Sequence, residues 1–314
     1  MRRAGVIAAA ALLALAGCAR EAPEPAAAPQ PRAALPTGGE RLAALYVAVE
    51  AFYRADRRFR TDYDPLDAPY DADTLVRNFV TVALRSETQV ASTEVITEGR
   101  NIPLSRWERP VSIHATGASP ADLAHLEALL ERVRARTGLE IGFADEAGGA
   151  DITLVVADPD ERARLIGLEG ARADRMLSAW PRLAQFPCIA KVLVDPETKE
   201  IDWGLILIKA ELQGEYRRAC LTEELVQSLG LFNDAPDVRP SIFNDDAEFV
   251  ALTRHDEDLL DMLYDPVMRS GMTEAEAAPL ARIIAADLIA TRSAQAGAAH
   301  AGATRAGTDS DEED

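Results

Sequence analysis

The chain has 314 residues, of which 48% are hydrophobic, so it is long enough to bury a sizeable core. Its 33 basic residues against 52 acidic ones give a net charge of −19, which argues against nucleic acid as a ligand and against electrostatic binding to anionic lipid. Aromatic residues make up only 5% of the chain, so we expect aliphatic side chains to fill most of the core.

The first eighteen residues, MRRAGVIAAAALLALAGC, have the pattern of an export signal. Two arginines precede an apolar run that is too short to span a bilayer as a mature helix. Its end, Leu15-Ala16-Gly17-Cys18, resembles the lipobox of bacterial lipoproteins, in which the signal is removed before a cysteine that is then lipidated. We therefore predict a lipoprotein signal peptide at residues 1–17 and lipidation of Cys18. The alternative is a plain secretory signal that contains a cysteine.

The residues after Cys18 indicate where such a protein would reside. Ala19, rather than an aspartate, follows the cysteine, and the sorting pattern of Gram-negative lipoproteins then implies the outer membrane. Residues 18–36 are rich in proline and alanine and suit an extended tether. We therefore expect a cell-envelope protein that is anchored to the membrane by its N-terminal lipid and faces the periplasm.

Between this tether and the C-terminus, the pattern predicts a single globular domain over residues 37–292. Residues 293–314 have no apolar period and finish in a run of acids, so we predict a disordered acidic tail there.

Helices and strands are mixed along the predicted domain. Apolar residues at helical spacing predict two N-terminal helices, at about 42–53 and 75–84. A third helix is predicted to begin after the cap Ser119 and to end at Gly138. Further elements are a helix at about 171–183 and strands at about 89–96, 111–115, 139–143, 151–156, 189–194 and 204–210. This order predicts an α+β fold, with α/β as the alternative.

The cysteines that remain after Cys18 form an even pair, Cys188 and Cys220. In an oxidising compartment such a pair predicts a disulfide, and the alternative is two buried free thiols. A zinc site is disfavoured because neither cysteine has a close Cys or His neighbour in the sequence.

The segment CLTEELVQSLGLFND, from Cys220 to Asp234, resembles the active-site helix of a zinc protease without its histidines. The H-E-x-x-H-x-x-G-x-x-H pattern needs two histidines at i and i+4 to reach one metal, a glutamate as general base and a glycine at which the chain turns. On that pattern Glu224 keeps the base position and Gly230 keeps the turn. The histidine positions are occupied by Glu223, Gln227 and Asn233.

The sequence around this segment is similar to matrixin-like metzincins over about 107–266. RWERPVSIHATG, RTGLEIGF and ADITLVV follow in the order of their N-terminal half, and Ser241-Ile242-Phe243 stands where they carry the Met-turn. LTRHDEDLLDMLYDP resembles their closing helix. The resemblance implies a metzincin-like mixed sheet with an active-site-type helix and C-terminal helices, preceded by N-terminal helices. An unrelated α+β fold is the alternative.

A narrower resemblance covers nearly the whole domain. Four sequence features are similar to a bacterial lipoprotein family known as domain of unknown function 2927: NFVTVALRSE at 78–87, W-x-x-P at 107–110, EELVQSLGLFND and SIFND. That family has no established activity, so this resemblance implies no reaction.

The replaced histidines argue against zinc catalysis, because the carboxamides of Gln227 and Asn233 are poor zinc ligands. We therefore expect no cofactor and a pseudoprotease that does not catalyse. The alternative is a metal-dependent hydrolase in which Glu223, Gln227 and Asp234 hold a divalent metal and Glu224 is the base. His114 and His125 are expected to lie far from the motif, His300 to lie in the acidic tail, and His255 to lie on the surface or cap the closing helix.

Two roles without catalysis remain open. In the structural one, Glu223 and Gln227 hydrogen-bond the loops at 233–234 and 244–246. In the binding one, the strand at 152–156 is an edge strand that adds a peptide. The sequence thus predicts a structural or peptide-binding envelope protein whose partner is a peptide or another envelope protein.

Overall fold

A computed structural model describes residues 37–86, 89–91, 94–96, 100–144, 149–166, 186–244 and 246–308. The predicted signal peptide, Cys18 and the tether lie outside these residues, and so does the helix predicted at 171–183.

The N-terminal part consists of two helices and two small sheets. Helix α1 (Gly38–Ala55) begins with a capping box, in which the backbone N–H of Glu40 donates to Thr37 and the Glu40 carboxylate accepts from the Thr37 N–H. Helix α2 (Ala72–Ala83) is capped by Asp71. Strand β1 (Arg85–Ser86) pairs with β4 (Arg100–Asn101), and β2 (Gln89–Ala91) pairs with β3 (Glu94–Ile96), both antiparallel.

Five strands of the described residues form the central sheet. They are β5 (Val111–Thr116), β6 (Ile141–Phe143), β7 (Ile152–Ala157), β8 (Cys188–Val194) and β9 (Ile201–Lys209), in the spatial order β6-β5-β7-β9-β8. Strands β6, β5, β7 and β9 run parallel to one another, whereas β8 is antiparallel to β9. The sheet is therefore mixed, and the antiparallel strand β8 forms one edge among the strands that the structure describes.

Strand β7 lies in the middle of the sheet, so the expectation that 152–156 forms an edge was wrong. It pairs with β5 on one side and β9 on the other. Five of its six residues are buried, which explains its nearly continuous apolar sequence. All seven residues of β8 are partly exposed, as befits the strand at the edge.

Five more helices complete the described part of the chain. They are α3 (Pro120–Thr137), α4 (Pro159–Ile166), α5 (Gly214–Gln227), α6 (Arg254–Tyr264) and α7 (Glu274–Thr308). Helix α3 has the predicted cap at Ser119 and ends at Gly138 in a left-handed conformation, with φ 67°. Mixed sheet and helices together confirm the α+β class. No helix of the described residues has the length and apolar character needed to cross a bilayer.

Helix α7 extends beyond the predicted end of the fold at Arg292. It runs through residues 293–308, where the sequence predicted disorder. Alanine occurs repeatedly in this stretch and is the strongest helix former, so the helix continues without an apolar face. Residues 309–314, which contain the whole acidic run, lie outside the described residues.

Helix α6 is buried deeply between its neighbours. His255 in its first turn is fully buried, its Nε2 lies 2.9 Å from the Asn78 side-chain nitrogen, and the ring of Tyr70 packs edge-on against it. The expectation of a surface or capping histidine was therefore wrong. The cap is Thr253, whose hydroxyl oxygen accepts from the Asp256 N–H.

Three acidic side chains of α6 pair with arginines of other helices. Arg132 of α3 donates to Glu257 at 2.8 Å, Arg292 of α7 donates to Asp258 at 2.7 Å, and Arg136 of α3 donates to Asp261. Burial, which outweighs the opposing charge of Arg136, raises the pKa of Asp261 to about 7, and nearby Asp258 and Glu257 add to the shift.

Candidate functional site

The protease-like segment forms most of α5 and the turn that follows it. Trp107 and Tyr264 hold this turn from outside: the indole N–H donates to the carbonyl oxygen of Ser228 at 2.9 Å, and the tyrosine hydroxyl to that of Leu229 at 2.9 Å. Gly230 has φ 123°, and a Cβ there would overlap the backbone oxygen of Ser105. Glycine is therefore required at the turn for steric reasons.

Four of the motif residues meet in one cavity of about 290 Å³, namely Glu223, Glu224, Gln227 and Asp234. Glu224 and Gln227 are buried, 6% and 9% exposed, whereas Glu223 and Asp234 are partly exposed. The Gln227 amide donates to both carboxylate oxygens of Asp234, at 2.9 and 3.0 Å. The predicted contact between Gln227 and the loop at 233–234 is thus present.

Asn233 does not join this cavity. Its side-chain amide donates to the carbonyl oxygen of Thr81 at 3.1 Å, and its backbone N–H donates to that of Val82 at 3.1 Å. The residue at the third histidine position is therefore directed to the end of α2.

The predicted disulfide between Cys188 and Cys220 is confirmed. It joins the first residue of β8 to α5, with 5.8 Å between the two Cα atoms and a sequence separation of 32. Both cysteines line the cavity, so the bond ties one wall of the cavity to its floor.

A second cavity, of about 420 Å³, continues along β8. The two cavities share Ala190, Lys191 and Gln227, so together they form a cleft beside the edge strand. We call the first cavity, which lies against α5, the floor cavity, and the second one the distal cavity. The distal cavity is bounded mainly by apolar side chains, among them Ile102, Pro103, Val192, Val194 and Phe232.

Successive residues of β8 direct their backbone N–H and C=O groups alternately towards β9 and away from it. The Lys209 N–H donates to the carbonyl oxygen of Pro187 at 3.1 Å, and Cys188 stands opposite Ile208 in the antiparallel register. In such a ladder every second residue bonds its partner strand. The N–H and C=O groups of Cys188, Ala190 and Val192 therefore point away from β9.

The loop at Ser241-Ile242-Phe243 lines the same cavity as α5. Ile242 lines the floor cavity, and Phe243 is fully buried. Asp256 of α6 holds the loop, accepting hydrogen bonds from the Ser241 hydroxyl and from the Ile242 N–H. The floor of the cleft is thus fixed by the closing helix.

Residues 72–282, more than half of the chain, match the model of a protein family of unknown function, DUF2927. This chain belongs to the DUF2927 family. No curated protein matches it.

The described residues of this DUF2927 member do not fit the metal site of the alternative hypothesis. Gln227 presents its NH₂ group, a donor, to Asp234, so these two side chains bind each other. Among the residues that the structure describes, no group of three or more His, Cys, Asp or Glu side chains is arranged to hold a metal.

One histidine of the DUF2927 chain lies closer to the motif than expected. His125 of α3 contacts Thr222 of α5, with 2.9 Å between Nε2 and the hydroxyl oxygen. Burial, together with the charge of Arg218, lowers the pKa of His125. It does not line the floor cavity, and the contact arises from helix packing that the sequence alone does not reveal.

The aromatic side chains of the floor cavity were not predicted from the sequence. Tyr53, Phe59, Phe186, Tyr216 and Phe249 all line it. Phe59 lies 5.2 Å from Tyr53 and 5.4 Å from Tyr216, measured between ring centroids. Tyr53 and Phe59 precede the residues that match the DUF2927 model, and only the helical spacing of Tyr53 pointed to an inward position.

Proposed function

We propose that this DUF2927 member is a lipid-anchored envelope protein whose cleft binds an extended polypeptide without cleaving it. The observation that carries the proposal is the cleft along β8, at which the backbone groups of Cys188, Ala190 and Val192 are directed away from the sheet. A peptide that pairs with these groups would extend the sheet by one strand.

The scaffold on which this cleft lies supports a metzincin-like origin. A mixed sheet precedes α5, the loop at 241–243 follows beside it, and α6 closes against that loop. These are the parts that the resemblance implies, in the same chain order. We therefore regard the cleft as the remnant of a protease cleft.

The absence of cleavage is supported by the side chains at the histidine positions. Gln227 is bonded to Asp234, and Asn233 is bonded to the end of α2. A water molecule would lack the three-ligand metal that activates it in zinc proteases.

Location in the envelope is supported by two independent features. The lipobox-like sequence ends at Cys18, and a disulfide joins Cys188 to Cys220. Disulfides persist in oxidising compartments such as the periplasm. The proposed anchor is therefore compatible with the chemistry of the folded part.

The anchor is tested by palmitate labelling and membrane fractionation of the full-length protein. Wild type is expected to incorporate label and to sediment with membranes. Cys18→Ala is expected to lose the label, and a labelled Cys18→Ala protein would refute lipidation at this residue.

Strand pairing is tested with short, terminally blocked peptides selected from a random library on the purified protein. A peptide strand beside β8 bonds it through every second residue. N-methylation of one alternate set of peptide bonds is therefore expected to abolish binding, while methylation of the other set leaves it intact. Equal effects of both sets, or a library without binders, would overturn the proposal.

A further inference from the structure

We infer that the floor cavity accepts a basic side chain, lysine or arginine, of the bound polypeptide, and that the distal cavity accepts an apolar one. This inference rests on the proposed peptide-binding function and specifies which peptides the cleft selects. It is carried by the charges, the ring faces and the sizes of the two cavities.

Charge complementarity is the first argument. Three carboxylates line the floor cavity, those of Glu223, Glu224 and Asp234, and Lys191 is the one cationic residue among its described lining residues. Lys191 lines the distal cavity as well as the floor cavity, so its single positive charge is set against three negative charges. The floor cavity thus has a negative excess, which favours a cationic group and disfavours an acidic one.

The aromatic lining is the second argument. Five aromatic rings surround the floor cavity, and the face of an aromatic ring attracts a cation. Two of the rings already bind cations of this chain: the Arg58 guanidinium lies 5.5 Å from the centroid of Tyr53, and that of Arg60 lies 4.8 Å from that of Phe249. Burial, with Tyr53, Tyr46 and Glu223 nearby, raises the pKa of Tyr216 to about 12, so its phenol stays neutral and its oxygen can accept a hydrogen bond from a cationic side chain.

The dimensions of the cleft are the third argument. Small-molecule pockets range from about 300 to 1,000 Å³. The floor cavity, at about 290 Å³, suits one long side chain better than a whole small molecule. A lysine or arginine can lay its methylene groups against the rings and carry its charge to the carboxylates.

The distal cavity sets the second requirement. Val192, Val194, Phe232, Ile102 and Pro103 line it, and it begins where the floor cavity ends, at Ala190 and Lys191. A strand that lies along β8 therefore passes both cavities in turn. The preferred ligand has a basic residue and an apolar residue close together in an extended segment.

The experiment compares peptides and variants in one thermodynamic cycle. The probe is the best fluorescein-labelled peptide from the selection above, together with a version in which its basic residue is replaced by norleucine, which keeps the aliphatic chain and removes the charge. Both are titrated against the full-length wild-type protein, Glu223→Gln and Glu127→Gln. Glu127 pairs with Arg134 on the exposed side of α3, so its variant makes the same charge change outside the cleft.

The expected result is a loss of affinity that depends on both the basic residue of the peptide and the carboxylate of Glu223. Glu223→Gln should weaken binding of the basic peptide about ten-fold and leave binding of the norleucine peptide nearly unchanged. Glu127→Gln should affect the binding of neither peptide. Lys191→Ala should tighten binding of the basic peptide, and misfolding cannot produce such a gain in affinity.

Two kinds of failure are distinguishable. This inference would be overturned if the selected peptides lack a basic residue, or if Glu223→Gln and Glu127→Gln lose equal affinity. The N-methylation test could still support strand pairing in either case. A library that yields no binder would remove the proposed function and the inference together.

Discussion

Gln227 donates its side-chain amide to both carboxylate oxygens of Asp234, at 2.9 and 3.0 Å. Asp234 accepts from Gln227 through the same two oxygens that would ligate a metal. Addition of Ca²⁺, Mg²⁺, Mn²⁺ or Zn²⁺ is therefore expected to leave the Tm of the metal-free protein unchanged in thermal unfolding. A ligand present at one hundred times its Kd would add about 2.7 kcal/mol to the unfolding free energy. A rise in Tm that Asp234→Asn abolishes would contradict this prediction.

Loss of the disulfide should destabilise the protein without unfolding it at room temperature. With a sequence separation of 32 between Cys188 and Cys220, the chain-entropy model gives a loss of about 3 to 4 kcal/mol in the free energy of unfolding. The measurement is urea unfolding of wild type and of the Cys188→Ser, Cys220→Ser double variant. A reductant should destabilise only the wild type, and equal responses of both proteins would show that the bond does not stabilise the fold.

Replacement of Gly230 should destabilise the protein far more than replacement of another left-handed glycine. A Cβ at Gly230 would overlap the Ser105 oxygen and lie 3.1 Å from a methyl group of Leu263, whereas one at Gly138 meets nothing within 4 Å. We expect Gly138→Ala to cost about 1 to 2 kcal/mol for its positive φ alone. Gly230→Ala should cost about 3 kcal/mol or more. Similar denaturation midpoints for the two variants would contradict the steric argument.

Asp261 should make the stability of the protein depend on pH between about 4 and 7. Its pKa is raised to about 7 in the folded state from an ordinary 3.8, so the folded protein binds the proton more tightly than the unfolded chain does. The contribution of Asp261 to the free energy of unfolding is present below pH 4 and is lost as the pH rises to about 7.

The test for Asp261 compares unfolding free energies across this pH range. Because the side chain is partly exposed and paired with Arg136, we expect wild type to lose on the order of 1 kcal/mol relative to Asp261→Asn. Asp237→Asn, which changes an exposed acid, should show no such change relative to wild type. A constant difference between wild type and Asp261→Asn would show that Asp261 titrates alike in both states.

Local signals in the sequence predicted most of the helices and strands. Ser119, Asp122 and Gly138 specify the ends of α3 by hydrogen bonds and a left-handed turn within a few residues, so the sequence is sufficient there. Likewise, the spacing of apolar residues was enough to predict α1, α2 and the strands of the central sheet.

The order of the strands and the aromatic lining of the cleft were not predictable in this way. An apolar run such as that of β7 indicates burial but does not say which strands flank it, and the edge was therefore assigned to the wrong strand. The burial of His255 against Asn78 and the meeting of Phe59 with Tyr216 join residues far apart in the chain. Such contacts depend on tertiary packing, which local patterns in a single sequence do not predict.

The turn at Gly230 also bears on how protease signatures are interpreted. The close approach of Ser105 excludes every larger side chain there, so substitutions would be eliminated through misfolding even in a chain that never encounters a metal. Histidine ligands have no such protection, because their loss leaves the backbone undisturbed. Under the metzincin-like origin proposed above, a chain that loses catalysis would lose its histidine ligands and keep this glycine, so a glycine at this position would indicate the shape of the backbone and not protease activity.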